Sequence, residues 1–131
     1  MAWAEAKWIV DNLTRKVGQS PNNMVSFSAS VASSTSVNLK FREPADSVEN
    51  EEVICVVKGV MIRVGTEGYP SSPTEGTLVV NNTVIGAHET TPFIVENLTE
   101  GQTYYFSAFP YSNKGVYNMS RDSANRVSVS L

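Results

Sequence analysis

Cysteine and histidine are nearly missing from this chain: its 131 residues include one of each, Cys55 and His88. One cysteine excludes an intrachain disulfide framework. One histidine, in the polar stretch GAHETT with no cysteine near it in sequence, leaves a zinc site without ligands. Cys55 lies in the apolar run EVICVV, where a free thiol behaves as a small core hydrophobe. Concentrated positive charge is also lacking. Ten Lys and Arg are scattered among thirteen Asp and Glu, for a net charge of −3, which argues against a nucleic-acid partner, because neutralising phosphates takes a basic stripe. No apolar run approaches the ~20 residues of a membrane span. The start, MAWAEAKWIVDNL, has neither the basic n-region nor the continuous apolar h-region of a signal peptide. We expect no membrane partner, and synthesis in a reducing cytoplasm.

Catalytic signatures are absent too. There is no phosphate loop, no dinucleotide fingerprint and no nucleophile elbow, and nothing supplies a paired acid and base. The acidic run EPADSVENEE holds Glu43, Asp46, Glu49, Glu51 and Glu52. Its spacing matches no loop whose alternate residues converge on a calcium ion, so it is expected to be a hydrated connection between strands. The chain is expected to be no enzyme and to hold no cofactor or metal.

What is present divides at about residue 20. Residues 2–17 contain no Gly or Pro and consist mostly of good helix formers. Trp3, Ala6, Val10, Leu13 and Val17 recur at spacings of three and four, with Ala2 and Ile9 widening the stripe on one flank. Gly18 is placed as a helix terminator, and Ser20-Pro21 prevents restarting. The pattern predicts an N-terminal amphipathic α-helix over 1–18, a linker over 19–23 and one domain over 24–131. An isolated helix of this length is marginal in water, so its stripe must bury against either the neighbouring domain or other copies of itself, by self-association in a short parallel bundle. On a helix Trp8 projects nearly opposite the stripe, where it marks a second contact surface.

From Met24 the hydrophobic period changes to two. Val25, Phe27, Ala29 and Val31 alternate, then Val37, Leu39 and Phe41. ICVVKGVMIRVG, GTLVVNN, TPFIVENL and TYYFSAF follow, and NRVSVSL closes the chain with Val127, Val129 and Leu131. The intervening clusters EPADSVEN, TEGYPSSPTEG, NNTV and NKG carry turn chemistry. Seven short strands with no helix between them predict an all-β, two-sheet sandwich.

The order of features is more specific than the number of strands. Leu98 precedes Tyr104 by six residues with Gly101 between them. This resembles the tyrosine corner of fibronectin type III and immunoglobulin-like modules, where a tyrosine ring fills the core and its hydroxyl bonds back to nearby backbone. LKFREP is similar to the second strand of that family, with Phe41 where a tryptophan commonly stands. Together GYPSSPTEGTLV and LTEGQTYYFSAFPYSNKGVYN resemble such modules in tailed-bacteriophage tail, baseplate, fibre and head-decoration proteins. The resemblance covers about residues 24–131. It implies a virion component, made in the bacterial host cytoplasm without a signal peptide, whose partners are other virion proteins or further copies of itself, three being usual for a fibre-like part. The N-terminal helix is a departure from that family's fold.

Residues 100–118 hold four of the five tyrosines and two of the five phenylalanines. Strand alternation sends Tyr104 and Phe106 to the core and Tyr105 and Phe109 to the opposite face. For Tyr105, Phe109, Tyr111 and Tyr117 two expectations stand. They pack locally under the GYPSSPTEG loop, through Tyr69, Pro70 and Pro73, or they form a patch for a host surface glycan. The leading expectation is a non-enzymatic structural protein assembled through its helix, and the alternative is an adhesin or carbohydrate-binding module.

Overall fold

The computed structural model describes residues 19–131. The expected helix, its seam of Trp3, Ala6, Val10, Leu13 and Val17, and Trp8 lie outside the described residues. Within them, nine strands occur: β1 (Ser26–Ser33), β2 (Ser36–Arg42), β3 (Ser47–Glu49), β4 (Glu52–Cys55), β5 (Val57–Gly65), β6 (Thr77–Asn82), β7 (Phe93–Val95), β8 (Thr103–Ser112) and β9 (Arg126–Ser130). A single 3-10 turn, Ser123–Asn125, precedes β9. The strands form an antiparallel sheet β1-β2-β7, a second antiparallel sheet β6-β5-β8-β9 and a separate hairpin β3-β4.

Seven of these strands make the expected sandwich, and the hairpin is the addition. Two features of the sequence concealed it. ICVVKGVMIRVG looks like one strand, but the backbone is diverted at Val56 and Val57. There the Val57 N–H donates to Asp46 Oδ1 at 2.8 Å, and the Val56 carbonyl accepts from the Asn113 N–H at 2.9 Å. EPADSVEN looks like a loop, but its second half is β3. The hairpin closes through Asn50 and Glu51, both with positive φ (51° and 66°). That is the left-handed pair a two-residue turn needs to match the twist of its strands.

The core follows from alternation. Val37, Leu39 and Phe41 of β2 face Val60 and Ile62 of β5 and Tyr104, Phe106 and Ala108 of β8, all buried. Phe27, Ala29, Val127, Val129 and Leu131 pack at its margin. Val31 was expected inward but is exposed. Val25, of the same alternating set, is exposed as well; Val31 keeps the register of Phe27 and Ala29 opposite Val37, so the two stand on the expected face but at the ends of β1, an edge strand of its sheet.

Strand directions give the sandwich two distinct ends. One carries the β2–β5 connection with its hairpin, the β6–β7 connection, the β8–β9 connection and the start of β1. The other carries the β1–β2 turn, residues 66–76 and residues 96–102.

Candidate interaction surfaces

The second end is finished by aromatic and main-chain contacts. The Thr99 N–H donates to Tyr104 Oη at 2.8 Å while the Tyr104 ring lies in the core. Leu98 N–H bonds the Thr35 carbonyl at 2.9 Å, and Gly101 N–H bonds that of Leu131 at 2.9 Å. Gly101 sits at φ 84°, a conformation that costs glycine little and other residues more. Beside this corner, Tyr69 meets Tyr105 edge to face at 5.1 Å, and the Arg126 guanidinium lies over the other side of Tyr69 at 5.0 Å. Arg63 Nε donates to the Pro73 carbonyl at 2.7 Å. The Ser71 hydroxyl, then its N–H, bond Glu75 and hold that carboxyl below its usual range, with Arg121 adding attraction and slight burial opposing.

The aromatic set divides on inspection. Phe109 is 3% exposed and Tyr111 7%. Tyr111 donates to Asn81 Oδ1 at 2.5 Å and tilts against Tyr117 at 5.2 Å. Burial, followed by the nearby Tyr117, pushes the Tyr111 hydroxyl pKa up, against a smaller lowering by Asn81. Tyr105 and Tyr117 keep partial exposure, but on different parts of the surface: Tyr105 pairs with Gly65 and Tyr117 with Tyr111 at opposite ends of β8.

The first end is built from amides and one carboxylate, none of which the sequence singles out. Asn125 Oδ1 accepts the Met24 N–H at 2.9 Å, and its Nδ2 donates to Asn23 Oδ1 at 2.9 Å. Asn118 Nδ2 donates to the Pro21 carbonyl at 3.0 Å and to Asn23 Oδ1 at 2.9 Å. Pro21 is buried. Residues 21–23, expected as a linker, are therefore tied into the sandwich. Glu43, expected in a hydrated loop, is fully buried. It accepts from Asn82 Nδ2 at 2.6 Å and from the Gly86 N–H at 3.0 Å, pinning the β6–β7 connection. Such roles depend on distant partners, and nothing local to Glu43, Asn118 or Asn125 signals them.

His88 is held rather than poised. Its Nδ1 donates to the Thr91 carbonyl at 2.9 Å, and its ring lies between Phe41 at 5.3 Å and Phe93 at 5.5 Å. Cys55 is buried, and burial followed by the Asp46 charge raises its thiol pKa. Among the described residues no three His, Cys, Asp or Glu side chains gather as metal ligands, and no helix is long and apolar enough to cross a membrane. A shallow cleft of about 380 Å³ in the 66–76 loop offers Glu67 and Glu75 as its ionisable groups. Another of about 350 Å³ opens between β6 and β7, with mostly apolar walls that include Leu78, Phe93 and Leu98.

No protein-family signature and no curated protein sequence matches the chain. Solved structures do. A fibronectin type III domain of human fibronectin type III domain containing protein 3 superposes with TM-score 0.55 at 17% identity, covering 86% of each chain. The sixth such domain of the same human protein gives 0.55 at 11% identity, over 86% of this chain and 87% of that one. The fold is a fibronectin type III-like β-sandwich. Chicken CNTN1 FN1-FN3 domains match at 0.53 and 15% identity over 83% of this chain and 31% of that longer one. At such identities the likeness establishes the module's architecture and nothing about its partners. The β3-β4 hairpin belongs to the connection between the module's two sheets.

Proposed function

We propose that the chain is a non-enzymatic structural component of a tailed-phage virion, in which the N-terminal stretch drives assembly and the module is a rigid brick presented at the surface. The observation that carries this reading is the attachment of residues 21–23 to the module through Asn118 and Asn125. A freely jointed linker would leave the N-terminal stretch independent of the sandwich. This one fixes the point and direction from which the stretch departs, as an assembly contact requires. The phage setting rests on the resemblance of GYPSSPTEGTLV and the aromatic β8 segment to tailed-phage modules. Synthesis in the host cytoplasm and incorporation into the particle follow from it. A glycan-binding role would rest on Tyr105 and Tyr117, because Phe109 and Tyr111 are enclosed.

Two measurements test the proposal. Light scattering on the full chain should give an oligomer, and Leu13→Asp should give a monomer with an unchanged thermal transition. A monomeric parent, or an assembled variant, removes the assembly role. Mass spectrometry of gradient-purified particles should find the chain at fixed stoichiometry, and its absence there removes the virion role.

A further inference from the structure

We infer that the end of the sandwich carrying the hairpin is the docking surface for the N-terminal apolar stretch of a second copy, so that two copies exchange these stretches. The inference rests on the assembly reading and names the surface that reading lacks. Nine large hydrophobic residues are exposed among the described residues. Val25, Val48, Val53, Val84, Ile85 and Met119 belong to this one end, whereas the remaining three are spread over strands: Val31 at the end of β1, Leu78 at the start of β6 and Ile94 in β7. Isolated apolar residues on a surface need no explanation. These six are borne by segments locked to one another: Val56 to Asn113 and Glu43 to Gly86 join the three connections, and Val25 N–H bonds the Arg42 carbonyl at 3.0 Å. On the hairpin, Val48 pairs directly across from Val53, and Val48 is 60% exposed.

The occupant is specified by where the chain leaves. Pro21 is buried at this end, and three residues (Gly18, Gln19 and Ser20) separate it from Val17. They span at most ~10 Å. A helix over residues 3–17 would be about 22 Å long, enough to cross a small sandwich end. Its stripe cannot remain wet, since isolated helices of this length are marginal. Ser20 precedes a proline and is biased to extended backbone, and with only Gly18 and Gln19 before it little chain is left for a helix to double back over the end it leaves. A two-fold arrangement then satisfies both stripes together, each on its partner's surface. Charge agrees at the hairpin tip, which presents Glu49 and Glu51, while the end of the stretch carries Arg15 and Lys16; Glu89 of the β6–β7 connection is already paired with Arg42 at 3.8 Å.

The test is the concentration-dependent mass of the full chain, compared with Val48→Asp/Val84→Asp, Ile85→Asp/Met119→Asp and Leu13→Asp. Each replaced loop residue is exposed, so the module should keep its thermal transition; a pair that fails to keep it is replaced by the other. The exchange predicts a dimer, a dissociation constant at least tenfold weaker in each variant, and partial recovery when Leu13→Asp is mixed with Val48→Asp/Val84→Asp, because one intact stretch then meets one intact surface. Loop variants that associate like the parent while Leu13→Asp does not would mean that stripes pair with stripes; that overturns the inference and leaves the assembly reading standing. An assembly of three or more copies overturns the reciprocal exchange in the same way. A monomeric parent overturns both.

Discussion

The two ends of this sandwich are stabilised by different chemistry. At the corner end, Tyr104 caps the core and Tyr69, Tyr105 and Arg126 stack beside it, so apolar area and ring contacts do most of the work. At the hairpin end, the closing groups are Glu43, Asn82, Asn118 and Asn125: Asn82 donates to the Glu43 side chain, and Glu43, Asn118 and Asn125 bond backbone far away in sequence. A stacked ring tolerates small displacements, because dispersion and area vary gently with position. A buried amide network does not: each group it leaves unpaired bears the full desolvation penalty. The hairpin end is thus the more exacting one to build, and it also carries six of the nine exposed large hydrophobic residues among the described residues.

That contrast can be broken. Asn125→Ala should have the largest effect, because it orphans the Met24 N–H and one partner of Asn23. Each buried unsatisfied group costs about 1–3 kcal/mol, so equilibrium urea unfolding should show a loss of about 3 kcal/mol with unchanged slope. A loss under about 1 kcal/mol would mean that the network does not brace the end. At the other end, Tyr104→Phe keeps the ring and removes the acceptor of the Thr99 N–H. A loss of about 1 kcal/mol is expected, smaller than for Asn125→Ala. If it were the larger of the two, the contrast between the ends would be reversed.

Smaller effects sharpen it. Glu51 holds φ 66° at the hairpin tip, where a side chain costs roughly 1–2 kcal/mol and glycine's extra unfolded freedom takes back about 0.4–1. Glu51→Gly should therefore stabilise by about 0.5 kcal/mol by thermal denaturation, and a clear loss would show that the turn is not strained. The smallest effect concerns pH. Hydrogen bonds from Ser71 lower the Glu75 pKa in the folded protein. The stabilisation this provides is present above the ordinary glutamate range and is lost as pH falls through the lowered folded value. Amide exchange at Ser71 should accordingly accelerate in acid in the parent, and Glu75→Gln should remove that acid-dependent step. Persistence of the step in the variant would assign it to another group.

The corner end was largely legible in advance. Tyr104, Phe106 and Leu39 announce themselves through period-two alternation, and Leu98, Gly101 and Tyr104 through a spacing that resembles a known family's tyrosine corner. Each of these signals lies within one strand or turn. The hairpin end was not, because its logic is long-range. Asn23 meets Asn125 across the whole domain, and Glu43 meets Gly86 across four strands. Even the division of β4 from β5 depends on Asp46 and on Asn113. The aromatic β8 segment falls between the two cases. Alternation placed Tyr105 and Phe109 on the outer face, but only the assembled sheet shows Phe109 and Tyr111 enclosed while Tyr105 and Tyr117 stay partly exposed.

The family resemblance supplied the tyrosine corner, while from the residues alone came the all-β class, the alternating faces of β2, β8 and β9 and the amphipathic pattern of the N-terminal stretch. All of these are written in side-chain period and turn chemistry, which act over a few residues. The tertiary structure decided the hairpin, the burial of Glu43, the capture of residues 21–23 and which of the alternating apolar side chains stay exposed. Hydrogen-bond partners and neighbouring loops are chosen by folding in three dimensions, and a one-dimensional pattern holds no record of which distant amide will meet which carbonyl.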